Sequence, residues 1–276
     1  MTAQARGTLF LVSTPIGHLA DLTQRAIDTL RTVGVVVAED TRHSRPLLQL
    51  HGITTRLESY REHNEARVTP QLVARLEAGE SVALISDAGT PLLSDPGARL
   101  VQAAIAAGIA VVPVPGASAL LAALVASGLP TDRFTFFGFL ARKGRERGDA
   151  VAEILALQHT AVLYEAPGRV GALLAELREA GAGARASVVA RELTKQYEEF
   201  ARGTVAELAD RFAETDPRGE VVVLVAGAAE AVVDEEFARK RAKALRDEGL
   251  SAREVARVLS TECGASRNLA YRLAHE

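Results

Sequence analysis

Short apolar runs rich in branched residues recur through the first 116 residues, and helical periodicity separates each from the next. They are TLFLVS (8–13), VVVAED (35–40), SVALISD (81–87) and AVVPVP (110–115). Runs of this length are too short for helices, and without polar alternation they are buried on both faces. Between them, 22–34 reads as a helix capped by Asp21, with Gln24 completing the capping box and Gly34 ending it. Residues 69–80 read as a second helix with Gly79 past its end, and 97–108 as a third. Strand and helix in alternation predict a parallel sheet covered on both faces, an α/β domain over 1–116.

The texture changes after 116. Aromatic residues cluster in RFTFFGFL (133–140), whose alternation suits an antiparallel strand. A basic loop, ARKGRERGD (141–149), follows. The runs TAVLYEA (160–166), SVVARE (187–192) and EVVVLVAG (220–227) alternate with helices from Arg169 and Val205. These predict a second α/β domain over 117–232. The tail, 233–276, has no strand signal. Ser251 and Glu254 form a capping box, Gly264 ends the helix they open, and Ser266 can cap another over 267–274, a helix-turn-helix-like module. Arg239, Lys240, Arg241, Lys243, Arg246, Arg253 and Arg257 make its front basic.

Several classes are disfavoured. One cysteine, Cys263, permits no disulfide within the chain and suits a reducing cytoplasm. The absence of HExxH and CxxC argues against zinc. The apolar run at the start is too short for a signal peptide. Residues 103–127 have the apolar length of a membrane span, but Pro113, Pro115 and Gly116 break it into helix end, strand, turn and helix. A net charge of -3 excludes a uniformly basic surface but not a local basic face.

In an open parallel sheet, ligands sit beyond the carboxyl ends of the strands. The loops there are STPIGHLAD (13–21), EDTRHSR (39–45), SDAGTPLLSDPG (86–97) and PGAS (115–118). Glycine lets a backbone approach a ligand, proline stiffens the loop, and Asp87 can accept from a ribose or attract a cation. Neither GxxxxGK[ST] nor a strand–GxGxxG–helix is present, which favours a ligand without phosphate.

Taken together, STPIGHLADLTQRAIDTL (13–30), AEDTRHSRPLL (38–48), SYREHNE (59–65), ALISDAGTPLLSDPGARLV (83–101), the 112–140 segment and YEAPGRV (164–170) resemble the ribosomal RNA small subunit methyltransferase I family. That family lies within the tetrapyrrole-methylase-like superfamily, and the resemblance runs in order from about Gly7 to Gly227. It implies two α/β domains with S-adenosyl-L-methionine in the cleft between them, a homodimer, and 2'-O-methylation of a cytidine in the decoding region of 16S rRNA within the 30S subunit. It further implies cofactor contacts from Pro15, Ile16, Asp87, Gly89, Thr90, Pro91, Ser118 and Ala119, closed on the other side by Tyr164, Ala190 and Glu220. The chain departs from the family pattern at His18, usually Asn, and at Arg61 and Gly168, each usually His.

A ribose hydroxyl needs a proton acceptor as it attacks. Glu39, Asp40, His43 and Glu165 are the preferred candidates, ahead of Glu192 and His63; Asp40 could instead pair with Arg42, and Glu192 with Arg191. No metal is required. RNA phosphates want cations. Arg42, Arg45, Arg61, Arg169 and Arg191 lie in cleft-side loops, and Arg142, Lys143, Arg145 and Arg147 in the basic loop. Two alternatives stand beside this reading: a methyltransferase for a tetrapyrrole precursor, and a non-catalytic rRNA-binding assembly factor.

Overall fold

A computed structural model describes residues 6–228, 234–265 and 267–276. The chain divides into two compact units, 1–227 and 228–276. In the first, β1 (Thr8–Val12), α1 (Gln24–Thr32), β2 (Val35–Ala38), α2 (Thr41–Leu50), β3 (Leu57–Ser59), α3 (Glu65–Glu77), β4 (Val82–Ile85), α4 (Ala98–Ala106) and β5 (Ala110–Val114) build one five-stranded sheet of order β3-β2-β4-β1-β5. All its pairings are parallel. Burial on both faces is visible within β2, but not in β5, where Ala110 and Pro113 are exposed because an edge strand is only partly covered. Val35 and Val37 join a core with Leu72, Leu76 and Leu100, while Val36 and Ala38 join another with Leu30 and Ile85. Pro113 sits in β5, an edge strand, where a missing N–H leaves no ladder position empty.

The second sheet follows α5 (Ala119–Ser127). It comprises β6 (Phe134–Phe139), β7 (Thr160–Glu165), β8 (Ala186–Arg191), β9 (Glu199–Thr204) and β10 (Val221–Val225), in the order β6-β7-β10-β8-β9. The connecting helices are α6 (Arg145–Ala156), α7 (Val170–Leu177) and α8 (Val205–Arg211). Leu120, Ala123 and Leu124 of α5 pack on Val162, Val188, Val222 and Leu224. The 116/117 boundary expected from sequence falls in the loop between β5 and α5.

Several elements differ from the sequence reading. β6 pairs parallel with β7, with a bulge at Gly138 (φ +63°). Alternation reveals a strand's faces but not its direction, and α6 supplies the long crossover that a parallel neighbour needs. β3 and β9 carry no apolar run: Ala201 is the one fully buried residue of β9. α1 is capped by Thr23, whose hydroxyl accepts from Ala26 N at 3.1 Å; Asp21 lies in a preceding 3-10 turn. Gly34 is not a left-handed cap; a Cβ there would meet the Glu80 side chain. α3 starts before residue 69 and runs through Pro70, because Val68 and Thr69 continue its buried face. The basic loop is shorter than expected, since Arg145 and Arg147 already belong to α6.

In the second unit, α9 (Glu235–Asp247), α10 (Ala252–Glu262) and α11 (Arg267–His275) enclose Ala238, Ala242, Leu245, Val255, Leu259 and Leu273. The Ser251–Glu254 capping box is present, and Gly264 turns the chain at φ +66°. Ser266 lies outside the described residues. Among the described residues, no helix is long and apolar enough to cross a membrane.

Candidate active site

The loops beyond β1, β2, β4 and β5 are tied to one another. Thr14 N donates to Gly89 O at 2.9 Å and Gly89 N to Thr14 O at 3.0 Å, an isolated bridge between the first and third loops. Ser13 Oγ donates to Thr90 Oγ1 (3.2 Å), and Thr90 Oγ1 to Ala117 O (3.1 Å), which brings in the fourth. Asp40 N donates to Asp87 Oδ1 at 3.0 Å, which brings in the second. Gly89 stands at φ +80°, where a side chain would be strained and its Cβ would press on Ile16 at 3.2 Å. Leu92 and Ser94 hold φ values of 73° and 69° without being glycine. Strain of this kind, of order ~1–3 kcal/mol per residue, clusters at functional sites.

These loops face the ends of the second sheet across a cavity of about 430 Å³. That lies within the roughly 300–1,000 Å³ of small-molecule sites. Ile16, Gly89, Thr90 and Ala119 line one side. Tyr164, Phe139, Leu193 and Val222 line the other. Tyr164 OH accepts from Leu120 N at 3.2 Å, and its ring packs on Phe136 (4.9 Å between centroids) and Phe139 (5.6 Å). Five carboxylates line the same cavity: Glu165 and Glu220 are paired with Arg169 and Lys195, whereas Glu39, Asp87 and Asp95 form no ion pair among the described residues. Burial pushes the Glu39 carboxyl up, and Asp87 adds to this. Burial pushes Asp95 up to about 6, reinforced by Glu39 and Asp87. An apolar-walled cavity with uncompensated negative charge is suited to a cationic ligand. A second cavity of about 630 Å³ shares Ile16, Asp87, Ala88 and Glu220 with the first and extends over Arg42, His43 and Leu47 to Lys195.

Residues 8–209 match the family of Tetrapyrrole (Corrin/Porphyrin) Methylases. Ribosomal RNA small subunit methyltransferase I of Synechocystis sp. is 45% identical over 98% of this chain and 98% of its own length. The protein of that name in Mesorhizobium japonicum is 52% identical over 82% of this chain and 77% of its own. Uroporphyrin-III C-methyl transferase from Thermus thermophilus, complexed with S-adenyl homocysteine, shares the fold: TM-score 0.57, 22% identity, 80% of this chain and 97% of that one. The chain belongs to the ribosomal RNA small subunit methyltransferase I family.

Of the cofactor residues expected in this methyltransferase from its sequence, Ile16, Asp87, Gly89, Thr90, Ala119, Tyr164 and Glu220 line the first cavity, and Pro15 lines the second. Pro91, Ser118 and Ala190 are buried and line neither. The Ser118 hydroxyl caps α5 by accepting from Leu121 N, and Ala190 packs inside the second sheet's core.

The four proton-acceptor candidates separate. Glu39 lines the first cavity with its carboxylate unpaired. Asp40 caps α2 and is clasped by Arg42, at 3.1 Å from Nε and 2.7 Å from Nη2, with Arg61 3.7 Å away. The Arg42 hydrogen bonds hold it well below the usual carboxylate range. Glu165 reaches the cavity wall, but its side chain is fully buried against Arg169 (3.0 and 3.1 Å) and Ala166 N (2.8 Å). His43 is exposed on α2 and lines the second cavity only. Glu192 pairs with Lys195 at 2.9 Å rather than with Arg191. His63 is exposed and lines neither cavity.

The arginines separate as well. Arg169 is folded onto Glu165 and Leu140 O, and Arg191 onto Glu199 (2.7 Å). Arg61, where the family usually has histidine, donates to Glu39 O at 2.8 Å and stiffens the Glu39–Asp40 corner. Arg145 lies 3.4 Å from Asp149, and Arg147 2.6 Å from Glu176. Arg45, Arg142 and Lys143 are exposed, with no ion pair among the described residues.

Asp95 and Phe139 went unassigned from sequence. Asp95 belongs to the same SDAGTPLLSDPG loop, and its carboxylate just ahead of Gly97 was the available signal. Phe139 ends an alternating strand, and its 56% exposure is not legible without the fold.

Proposed function

We propose that this chain uses S-adenosyl-L-methionine to methylate the ribose 2'-hydroxyl of a cytidine in the decoding region of 16S rRNA, acting on the 30S subunit as a cytoplasmic homodimer. The observation that carries the reading is the meeting of three carboxylates that form no ion pair among the described residues, Glu39, Asp87 and Asp95, in a cavity walled by Phe139 and Tyr164. A ligand bearing a sulfonium, an ammonium and a flat aromatic base matches that donor set. When bound, it supplies an electrophilic methyl group whose transfer rests largely on positioning. Support also comes from the name shared by the curated relatives and from the S-adenyl homocysteine held by the fold neighbour.

In this reading the bridged Thr14 and Gly89 backbones fix one wall, and Phe139 and Tyr164 offer the base an aromatic face. The target nucleoside enters over the second cavity, lined by Arg42, and the exposed Arg45 on the same helix attracts phosphate. Glu39, with Asp95 beside it, accepts the hydroxyl proton as the oxygen attacks. A carboxyl raised toward neutral pH is a better acceptor than an ordinary one. Asp40, Arg42 and Arg61 act by holding the Glu39 corner. Leu121 and Val125, 50% and 73% exposed on α5, which is apolar from Ala119 to Ala126, support a second copy as the cover of that helix.

Mass spectrometry of 16S rRNA nucleosides from a deletion strain tests the reaction. Loss of a single 2'-O-methylcytidine, restored by the wild-type gene, is expected. Methylation of a tetrapyrrole precursor by the purified protein, with 30S subunits left unmodified, would overturn it.

A further inference from the structure

Of the basic residues that the sequence places at the front of the helical unit, those on α9 are mostly engaged, whereas Arg253 and Arg257 on α10 form no ion pair among the described residues. On α9, Arg239 pairs with Glu276 (2.8 Å) and Glu235 (3.2 Å), Lys240 with Glu236 (2.8 Å), and Arg241 with Glu262 (2.9 Å). Arg246 donates to Leu273 O. That front is largely neutralised by its own carboxylates.

A groove of about 450 Å³ between α10 and α11 is different. Arg253 and Arg257, one turn apart on α10, face Arg267 on α11, and all three are exposed with no ion pair among the described residues. Tyr271, one turn along α11, forms part of the wall, 42% exposed and stacked on His275 (6.2 Å, 15° between planes). Glu254 is the carboxylate in the lining, and it is engaged with Ser251 N (2.9 Å) and Oγ (2.6 Å) in the capping box. Three guanidiniums against one carboxylate, Glu254, which feels the Arg257 charge, leave the groove net positive beside an exposed aromatic pair, and this matches the phosphates and unstacked bases of single-stranded RNA.

We infer that the α10–α11 groove is an RNA-binding surface, gripping backbone phosphates with Arg253, Arg257 and Arg267 and stacking a base on Tyr271. The inference rests on the rRNA reading above and adds the place where the second unit holds that substrate. An acidic protein segment would satisfy the arginines but leave the aromatic pair unused.

The test is fluorescence anisotropy of the full chain with a labelled single-stranded oligoribonucleotide, over a series of salt concentrations. The triple variant Arg253→Ala, Arg257→Ala, Arg267→Ala is compared with wild type and with Lys240→Ala, Lys243→Ala on α9. The triple variant should bind about tenfold or more weakly at low salt, with a log–log salt slope shallower by about 2, near 0.7 per lost phosphate contact. The α9 variant should lose much less. Tyr271→Ala should weaken binding to single strands more than to duplex RNA. If alanine alters the far-UV helix signal, the triple glutamine variant takes its place. An unchanged slope, or polyglutamate binding as tightly as RNA through the same arginines, would overturn the inference. Methylation of 30S subunits is measured alongside: a wild type that neither methylates nor binds rRNA sinks the function, whereas a competent wild type with an unaffected triple variant sinks only the groove.

Discussion

Asp95 carries opposite consequences for stability and for activity. Its carboxyl is raised to about 6 by burial, with Glu39 and Asp87 adding, so the fold favours the neutral form. The penalty is therefore absent below the ordinary carboxylate range and fully present once pH rises past about 6. Asp95→Asn should raise Tm by roughly 2–4 °C at pH 8, about 1 kcal/mol after solvent screening, and leave it unchanged at pH 4. Thermal melts at the two pH values check this; equal gains at both would place the effect elsewhere. A cationic donor in the cavity favours the ionised form, so binding S-adenosyl-L-methionine near pH 6 should release protons. Calorimetry in buffers of different ionisation heat reads that release. Glu39→Gln should lower kcat by about 10²–10⁴, as expected for loss of a proton acceptor, and should weaken donor binding too, because the same carboxylate lines the cavity that takes the cationic donor.

Among the elements, α5 has a double task. Ser118 caps it, and the next residues place Ala119 in the cavity and offer Leu120 N to Tyr164. Ser118→Ala should cost about 0.5–2 kcal/mol, read as a lower urea midpoint, and should weaken donor binding through the displaced Tyr164 ring. Gly89 tests the loop bridge. Its positive φ and its contact with Ile16 leave no comfortable place for a Cβ. Gly89→Ala should cost about 1–2 kcal/mol from the left-handed backbone and reduce donor affinity. Wild-type affinity in that variant would show that the bridge is only structural.

For the whole molecule, the proposed function couples folding to the donor through the cavity and to a second copy through α5. At a hundredfold excess over Kd, a ligand that binds only the folded state adds about 2.7 kcal/mol, several degrees in Tm. Differential scanning fluorimetry with S-adenosyl-L-methionine should show that shift, and a flat response would argue for the non-catalytic alternative. Val125→Glu places a charge on the exposed apolar side of α5. Sedimentation should report half the wild-type mass; a wild type already monomeric would refute the dimer.

The amino-acid sequence alone determined the alternation of buried strands and helices, the loops that follow them and the family, because these rest on local periodicity and on short contiguous motifs. β3 and β9 are not legible in the sequence, since β3 is three residues long and β9 carries Glu199, Arg202, Gly203 and Thr204 in place of an apolar run. Tertiary structure decided which charges remain free. Glu165 and Arg169 are near in sequence, but Arg191 and Glu199 meet across a β8–β9 pairing, and Arg241 and Glu262 across two helices. Charge compensation acts through space, so the cavity carboxylates and groove arginines that form no ion pair among the described residues emerge only once the chain is folded.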